Sequence, residues 1–214
     1  MRKWYPWAII VAVAVFSLSV YHRLPERVAT HWDVRGDVNG WDSRPFAAWM
    51  LPGVMVLIAL LMPLLPRIDP RRVNFEKFRP TYDLIVNAIV TLLGVIHVSV
   101  LGAGLGWPIL MERFTPLMIG GLLILLGNVL PRVRSNWWLG IRTPWTLSSE
   151  RVWERTHRVG GYLLVGAGTV MILLALLPPP LAGFTVPIIV GIVIVTVAAP
   201  VIYSYFAWKQ EKSQ

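Results

Sequence analysis

The apolar residues of this chain fall into six long blocks separated by short basic or Pro-rich stretches. The blocks cover residues 4–20, 47–65, 84–107, 114–130, 159–177 and 184–206, so each is 17 to 24 residues long. A helix rising about 1.5 Å per residue needs about 20 apolar residues to cross the roughly 30 Å hydrocarbon core of a bilayer. The pattern therefore predicts an all-α fold, a polytopic membrane helical bundle of six transmembrane helices. The first block also has features of a secretory signal, with basic residues ahead of it and Ser17-Leu18-Ser19 near its end. The aromatic cluster of Trp4, Tyr5 and Trp7 favours a retained helix anchored at the membrane interface.

Six crossings put both termini on one side, and the basic residues say which side. Fifteen of the 20 Lys and Arg fall in segments that share a side with the termini. The other five are Arg23, Arg27, Arg35, Arg44 and Arg113. Basic residues gather in cytoplasmic loops, so the expectation is a multi-pass plasma-membrane protein with both termini cytoplasmic. Three polar segments are long enough to carry function: an outer loop at 21–46 and inner loops at 66–83 and 131–158. Pro178-Pro179-Pro180 fits a stiff, tight outer turn. The chain divides into an N-terminal two-helix region at 1–83, holding the outer loop, and a four-helix region at 84–214.

Composition agrees with this frame and narrows the chemistry. Hydrophobic residues make up 56% of the chain and charged residues 14%, against about 25% charged in soluble proteins. The net charge of +9 is explained by loops facing anionic headgroups, so no direct nucleic-acid partner is expected. Cysteine is absent, which excludes disulfides, thiolate nucleophiles and Cys-ligated metals.

Within the spans, His97 is the clearly embedded ionisable residue, and Asp83 stands at the edge of the same helix. Carriers usually keep carboxylates or paired charges at mid-membrane, so a small-solute or ion carrier is disfavoured. His97 reads as a neutral imidazole bonded to a neighbouring helix. Asp83, Asn87 and Thr91 share a helix face; with Asn128 they are the intramembrane polar groups, serving either as packing contacts or as a ligand groove. Gly102, Gly106, Gly120 and Gly127 suggest close helix contacts.

The outer loop holds His31, Trp32, Asp33, Gly36, Asp37, Asn39, Gly40 and Trp41. A calcium loop fails, because with Gly40 at the sixth position the first and twelfth would be Arg35 and Phe46. A divalent metal on His31, Asp33 and Asp37 is one alternative, the basis of a membrane-embedded metal-dependent enzyme. The other is a compact turn in which Gly36 and Gly40 permit positive φ, Asp and Asn bond back to the backbone, and both Trp sit at the interface. No other cofactor is expected.

The second inner loop places Gly140, Arg142, Pro144 and Trp145 in close order, implying a fixed backbone and a docking surface. Ser148 or Ser149 can cap the helix that follows, and Glu154 can pair with Arg158. Trp153 and His157, four apart, either read a partner or stack on each other. His157 lacks a Ser or Asp partner, so no catalytic residue is assigned and the chain is expected not to be an enzyme.

Gly-Asn-x-Leu-Pro at 127–131, Asn136, the run 140–147 (Gly-Ile-Arg-Thr-Pro-Trp-Thr-Leu) and the segment 152–161 with Trp153, Thr156, His157 and Arg158 together resemble the signature of the SdpI family of bacterial toxin-immunity membrane proteins. The stretch from Leu24-Pro25 through His31, Gly36 and Asp37 to Trp41 resembles the small domain of unknown function that often precedes that signature. The resemblance implies a plasma-membrane protein that protects its host against a secreted antimicrobial peptide. It also implies, for the best-known member, signalling through a repressor held at the membrane. On that basis toxin sensing falls at His31, Asp33, Gly36, Asp37 and Trp41. Docking of a cytoplasmic repressor falls at Asn136, Gly140, Arg142, Thr143, Pro144, Trp145, Trp153, His157 and Arg158. The partners implied are the lipid bilayer, a peptide toxin and that repressor.

Overall fold

A computed structural model describes residues 4–33, 35–176 and 185–213. In chain order they form α1 (Tyr5–Val20), a hairpin of β1 (Arg27–Trp32) and β2 (Val38–Ser43), α2 (Arg44–Leu61), α3 (Leu65–Ile68), α4 (Arg72–Gly104), α5 (Met111–Val129), α6 (Pro144–Ser148), α7 (Glu150–Leu176) and α8 (Thr185–Lys212). Six of these helices, all but α3 and α6, are long and apolar enough to cross a membrane. Pro178-Pro179-Pro180 lies outside the described residues.

The helices outrun the apolar blocks at their polar ends. Thus α4 starts at Arg72 rather than 84, and α7 at Glu150 rather than 159. An apolar run marks the stretch that hydrocarbon solvates, whereas helix hydrogen bonding continues into water until a cap stops it. At α7 the cap is Ser149, whose hydroxyl accepts the Val152 N–H at 3.2 Å. Helix α4 kinks at Phe78 (φ −130°, ψ 21°), two residues before Pro80; a proline removes one helical donor and crowds the turn before it.

The described residues form two compact units, and neither follows the order of the chain. The first takes the chain as far as Pro63 together with Leu84–Met118. Ile10 and Val13 of α1, Met55 and Ala59 of α2, and Val90 of α4 form one core cluster there. Val20, Leu24, Val28, Ala47 and Leu101 form another. The polar groups of these helices turn to one another. The Ser17 hydroxyl and His97 Nε2 are 2.7 Å apart, and both side chains are fully buried. Thr91 donates to the Asn87 carbonyl at 2.8 Å, which leaves its oxygen to accept from the Tyr5 hydroxyl at 3.0 Å. Gly106, expected at a helix contact, has open space around it; its φ of +85° serves instead to end α4. Trp107 N–H reaches back to the Gly102 carbonyl and Gly106 N–H to that of Ala103, the paired bonds of a glycine C-terminal cap. The Trp107 ring then covers Gly102, where no Cβ would fit.

The second unit takes Leu64–Asp83 and the chain from Ile119 onward. Its helices meet through glycine. A Cβ on Gly120 would lie 2.7 Å from the Gly168 carbonyl oxygen, and one on Gly168 would lie 2.4 Å from that of Gly120. Gly127 and Gly161 face each other in the same way, at 2.6 and 2.7 Å. Seven-residue spacing on both helices keeps the two pairs on one seam, so the α5 and α7 backbones touch along it. Asn128, by contrast, is exposed and donates to the Ile124 carbonyl of its own helix at 2.8 Å.

Gly168→Val should destabilise the protein by about 1–3 kcal/mol through overpacking, and Gly161→Val by a similar amount. Gly121→Ala, where a Cβ meets nothing within 4 Å, should leave stability unchanged. Thermal melting of the purified protein in one detergent checks the contrast.

Candidate functional site

The 133–149 loop of the second unit is built around a single side chain. Asn136 is fully buried, and its carboxamide makes four hydrogen bonds. The amide nitrogen donates to the Arg134 and Leu139 carbonyls at 2.8 and 2.9 Å. The oxygen accepts the N–H groups of Trp138 and Leu139 at 2.8 and 2.7 Å. That uses both donors and both lone pairs, so the turn is closed from within.

His157 closes the far side. Its Nδ1–H donates to the Trp153 carbonyl at 2.8 Å, and its Nε2 accepts the Ile141 N–H at 3.0 Å. A neutral ring is the state that fills both bonds. The ring also stacks on Trp153, with centroids 4.0 Å apart, and the Trp153 indole N–H donates to the Val133 carbonyl at 2.7 Å. Gly140 makes this approach workable: its φ is +116°, and a Cβ there would stand 2.3 Å from His157 Nε2.

The loop then enters α6 through a reciprocal cap. Thr143 Oγ1 accepts the Thr146 N–H, Thr146 Oγ1 accepts the Thr143 N–H, and Pro144 takes the first helical position. Thr143 also meets Ser204 of α8 at 3.0 Å, oxygen to oxygen.

Residues of the first inner loop finish the assembly, and none of them stands out in the sequence as a site residue. Asp69, 3% exposed, accepts the Arg71 N–H at 2.6 Å and the Trp137 N–H at 2.9 Å. Arg71 donates to the Ser135 hydroxyl and, at 2.8 Å, to the Leu147 carbonyl. Asn74 donates to the Ser135 carbonyl at 2.8 Å. The one local signal was Asp69-Pro70 just ahead of a charged helix start, a sequence that suits a capping aspartate. Nothing in the sequence points across more than 60 residues to Ser135.

The nine inner-loop residues singled out from sequence therefore separate by exposure. Asn136, Thr143, Trp153 and His157 are buried and hold the loop, and Gly140 admits His157. Arg142, Pro144 and Arg158 are exposed and Trp145 is partly so. The Arg142 guanidinium donates to the Trp137 carbonyl, which fixes it beside the exposed indoles of Trp137 and Trp138. Glu154 pairs with Arg134 rather than with Arg158, and Asp83 with Arg79.

In the first unit, the 21–46 segment contains a hairpin where only a compact turn was expected. Its register runs from Arg27 opposite Ser43 to Trp32 opposite Val38, with bulges on either side of His31. Two strands alone are marginally stable; here Val28, fully buried against Leu24 and Leu101, anchors them. Gly36 is the positive-φ residue of the tip at +85°, and Glu112 of α5 packs where its Cβ would be. Gly40 is not left-handed; it is needed because a Cβ would lie 2.9 Å from that of His31.

The polar side chains of the hairpin serve the turn. His31 Nδ1 meets Asn39 Oδ1 at 2.5 Å. Asp33 accepts the N–H groups of Arg35 and Asp37 at 2.8 and 3.0 Å, and the Arg35 side chain at 3.2 Å. The Arg35 backbone N–H, ahead of the other contacts, holds the Asp33 carboxyl below its ordinary value. Asp37 is exposed, with Arg35 at 3.7 Å, and Trp41 is exposed. Among the described residues, no group of three or more His, Cys, Asp or Glu side chains gathers as a metal site would require.

Residues 132–204 match the SdpI/YfhL protein family, a range that takes in the locked loop, α7 and most of α8. Residues 8–56 match a domain of unknown function, DUF1648, which takes in most of α1, the hairpin and part of α2. The chain is 26% identical over 203 residues to the immunity protein SdpI of Bacillus subtilis strain 168, covering 94% of each chain. No solved structure matches. Both halves of the resemblance seen in the motifs are thus borne out.

Asn136→Ala removes four bonds and should cost about 4 kcal/mol at roughly 1 kcal/mol per net hydrogen bond. It should also open the 133–149 loop to trypsin at Arg134 and Arg142, read by limited proteolysis. Because the folded pKa of Asp33 is depressed, its contribution is complete above the ordinary value of 3.8 and is lost as pH falls through the folded value. Acid titration of the hairpin amide signals by NMR should show one transition below pH 3.8 that Asp33→Asn abolishes.

Proposed function

We propose that this chain, which carries an SdpI/YfhL region behind a DUF1648 segment, is a multi-pass membrane immunity protein that gives its host resistance to a secreted antimicrobial peptide. The observation that carries this is the end-to-end alignment with a protein named for immunity. The chemistry of the two units supports it. Ser17 with His97 and Tyr5 with Thr91 bond helix to helix, and Asn128 bonds to its own backbone, an arrangement that suits binding rather than transport or catalysis.

Counted along the chain, the hairpin follows one candidate crossing and the locked loop four, which would put them on opposite sides of a membrane. The excess of Lys and Arg on the side of the locked loop supports an inward placement for it and an outward one for the hairpin. The toxin would then meet Trp41, Asp37 and the hairpin edge. Inside, a cytoplasmic repressor would dock on the exposed basic and aromatic residues of this loop and the helix after it, Trp137, Trp138, Arg142 and Arg158.

Expression in a sensitive strain should raise survival under a membrane-active peptide toxin; unchanged killing across a panel of such peptides would count against the proposal. Arg142→Ala should insert at normal levels yet lower protection by roughly tenfold or more, as expected for a partner-facing arginine worth about 2 kcal/mol. Arg142→Lys should restore it only in part, because a lysine lacks the planar fork. Survival curves alongside membrane-fraction immunoblots check both.

A further inference from the structure

Where α6 meets the last turns of α8, a groove of about 410 Å³ opens within the second unit, inside the range of roughly 300–1,000 Å³ typical of small-ligand clefts. Trp145, Ser148 and Ser149 line one wall; Trp208, Glu211 and Lys212 line the other. The two serines are engaged with the backbone, Ser148 donating to the Trp145 carbonyl and Ser149 accepting the Val152 N–H. The recognition groups are therefore two indoles, a carboxylate and an ammonium.

These groups are held in a defined arrangement. Trp145 meets Tyr205 edge-on at 5.2 Å, and Tyr205 lies 6.5 Å from Trp208. The Lys212 ammonium stands 4.4 Å from the centre of the Trp208 ring. Glu211 is half-buried and makes no ion pair among the described residues. Two and three turns back, on the face of the same helix that carries Trp208, Val201 and Val197 are 39% and 63% exposed, an apolar surface that leads up to the groove.

An amphiphile with a zwitterionic head matches all of this at once. We propose that the groove binds the headgroup of an ethanolamine phospholipid from the leaflet that meets the C-terminal end of α8. Its phosphate pairs with Lys212. Its primary ammonium donates to the Glu211 carboxylate and lies against the Trp145 indole, since Lys212 already covers a face of Trp208. The acyl chains follow Val201 and Val197. An anionic glycerol headgroup brings no cation to Glu211 and is repelled by it. A choline headgroup brings a cation that has no N–H to donate.

Native mass spectrometry of the full chain, purified with equal amounts of phosphatidylethanolamine, phosphatidylcholine and phosphatidylglycerol, tests this directly. The ethanolamine lipid should be retained about fivefold over the glycerol lipid, the scale of one desolvated cation–π and carboxylate contact. Glu211→Gln should erase that preference, and Lys212→Gln should weaken retention of all three. A wild-type ratio near one overturns the proposal, as does a preference that Glu211→Gln leaves intact. Competition by soluble phosphoethanolamine at equal concentration would place the ligand in solution instead and overturn the lipid assignment. This proposal requires only that α8 be embedded and stands apart from the immunity reading.

Discussion

Hydrocarbon offers no hydrogen bonds, so every backbone N–H and C=O in the spanning segments has to be satisfied within its own helix. Much of the rest of this structure follows from that constraint. With the backbone closed on itself, helices cannot attract one another through the hydrophobic effect inside the bilayer and instead associate by close contact. The glycine pairs on α5 and α7 provide that contact, carbonyl against bare Cα. Polar side chains in the spans are few, and Ser17 with His97 and Tyr5 with Thr91 bond from one helix to another.

The same constraint moves chemistry to the ends of the helices, where irregular backbone has to be satisfied by side chains. In the 133–149 loop the work is divided among a few residues. Asn136 closes the turn, His157 and Trp153 hold its flank, and Asp69, Arg71 and Asn74 fix it from a distant part of the sequence. A loop pinned at so many points presents Trp137, Trp138 and Arg142 with little conformational entropy left to lose on binding. The hairpin reaches a comparable result with less, using one buried valine and an aspartate that caps its own turn.

How much of this was legible in the sequence depends on the range of the interaction involved. Apolar runs report on the solvent around a helix, so the six spans and their order could be read directly, although their water-facing ends could not. The motif around Gly140, Arg142 and Pro144 was also legible, and it singled out a loop whose backbone is pinned by many hydrogen bonds. Within that loop the roles were not legible. Asn136 and His157 look like exposed polar candidates in one dimension and are fully buried in three. The hairpin was missed because Gly36, Asp37 and Gly40 make the segment look like a turn, while the strands depend on the burial of Val28 among Val20, Leu24, Ala47 and Leu101.

The sequence by itself determined the membrane class, the count of crossings, the absence of thiol chemistry and the family motif, because each follows from residue type or local spacing. The tertiary structure alone decided which polar residues hold the loop and which face outward. It alone joined Asp69 and Arg71 to the loop and placed Trp145 beside Trp208 to form a groove. The physical reason is that burial and hydrogen-bond partners are properties of position in space, and here the partners that join the first inner loop and α8 to this loop stand 60 or more residues away along the chain.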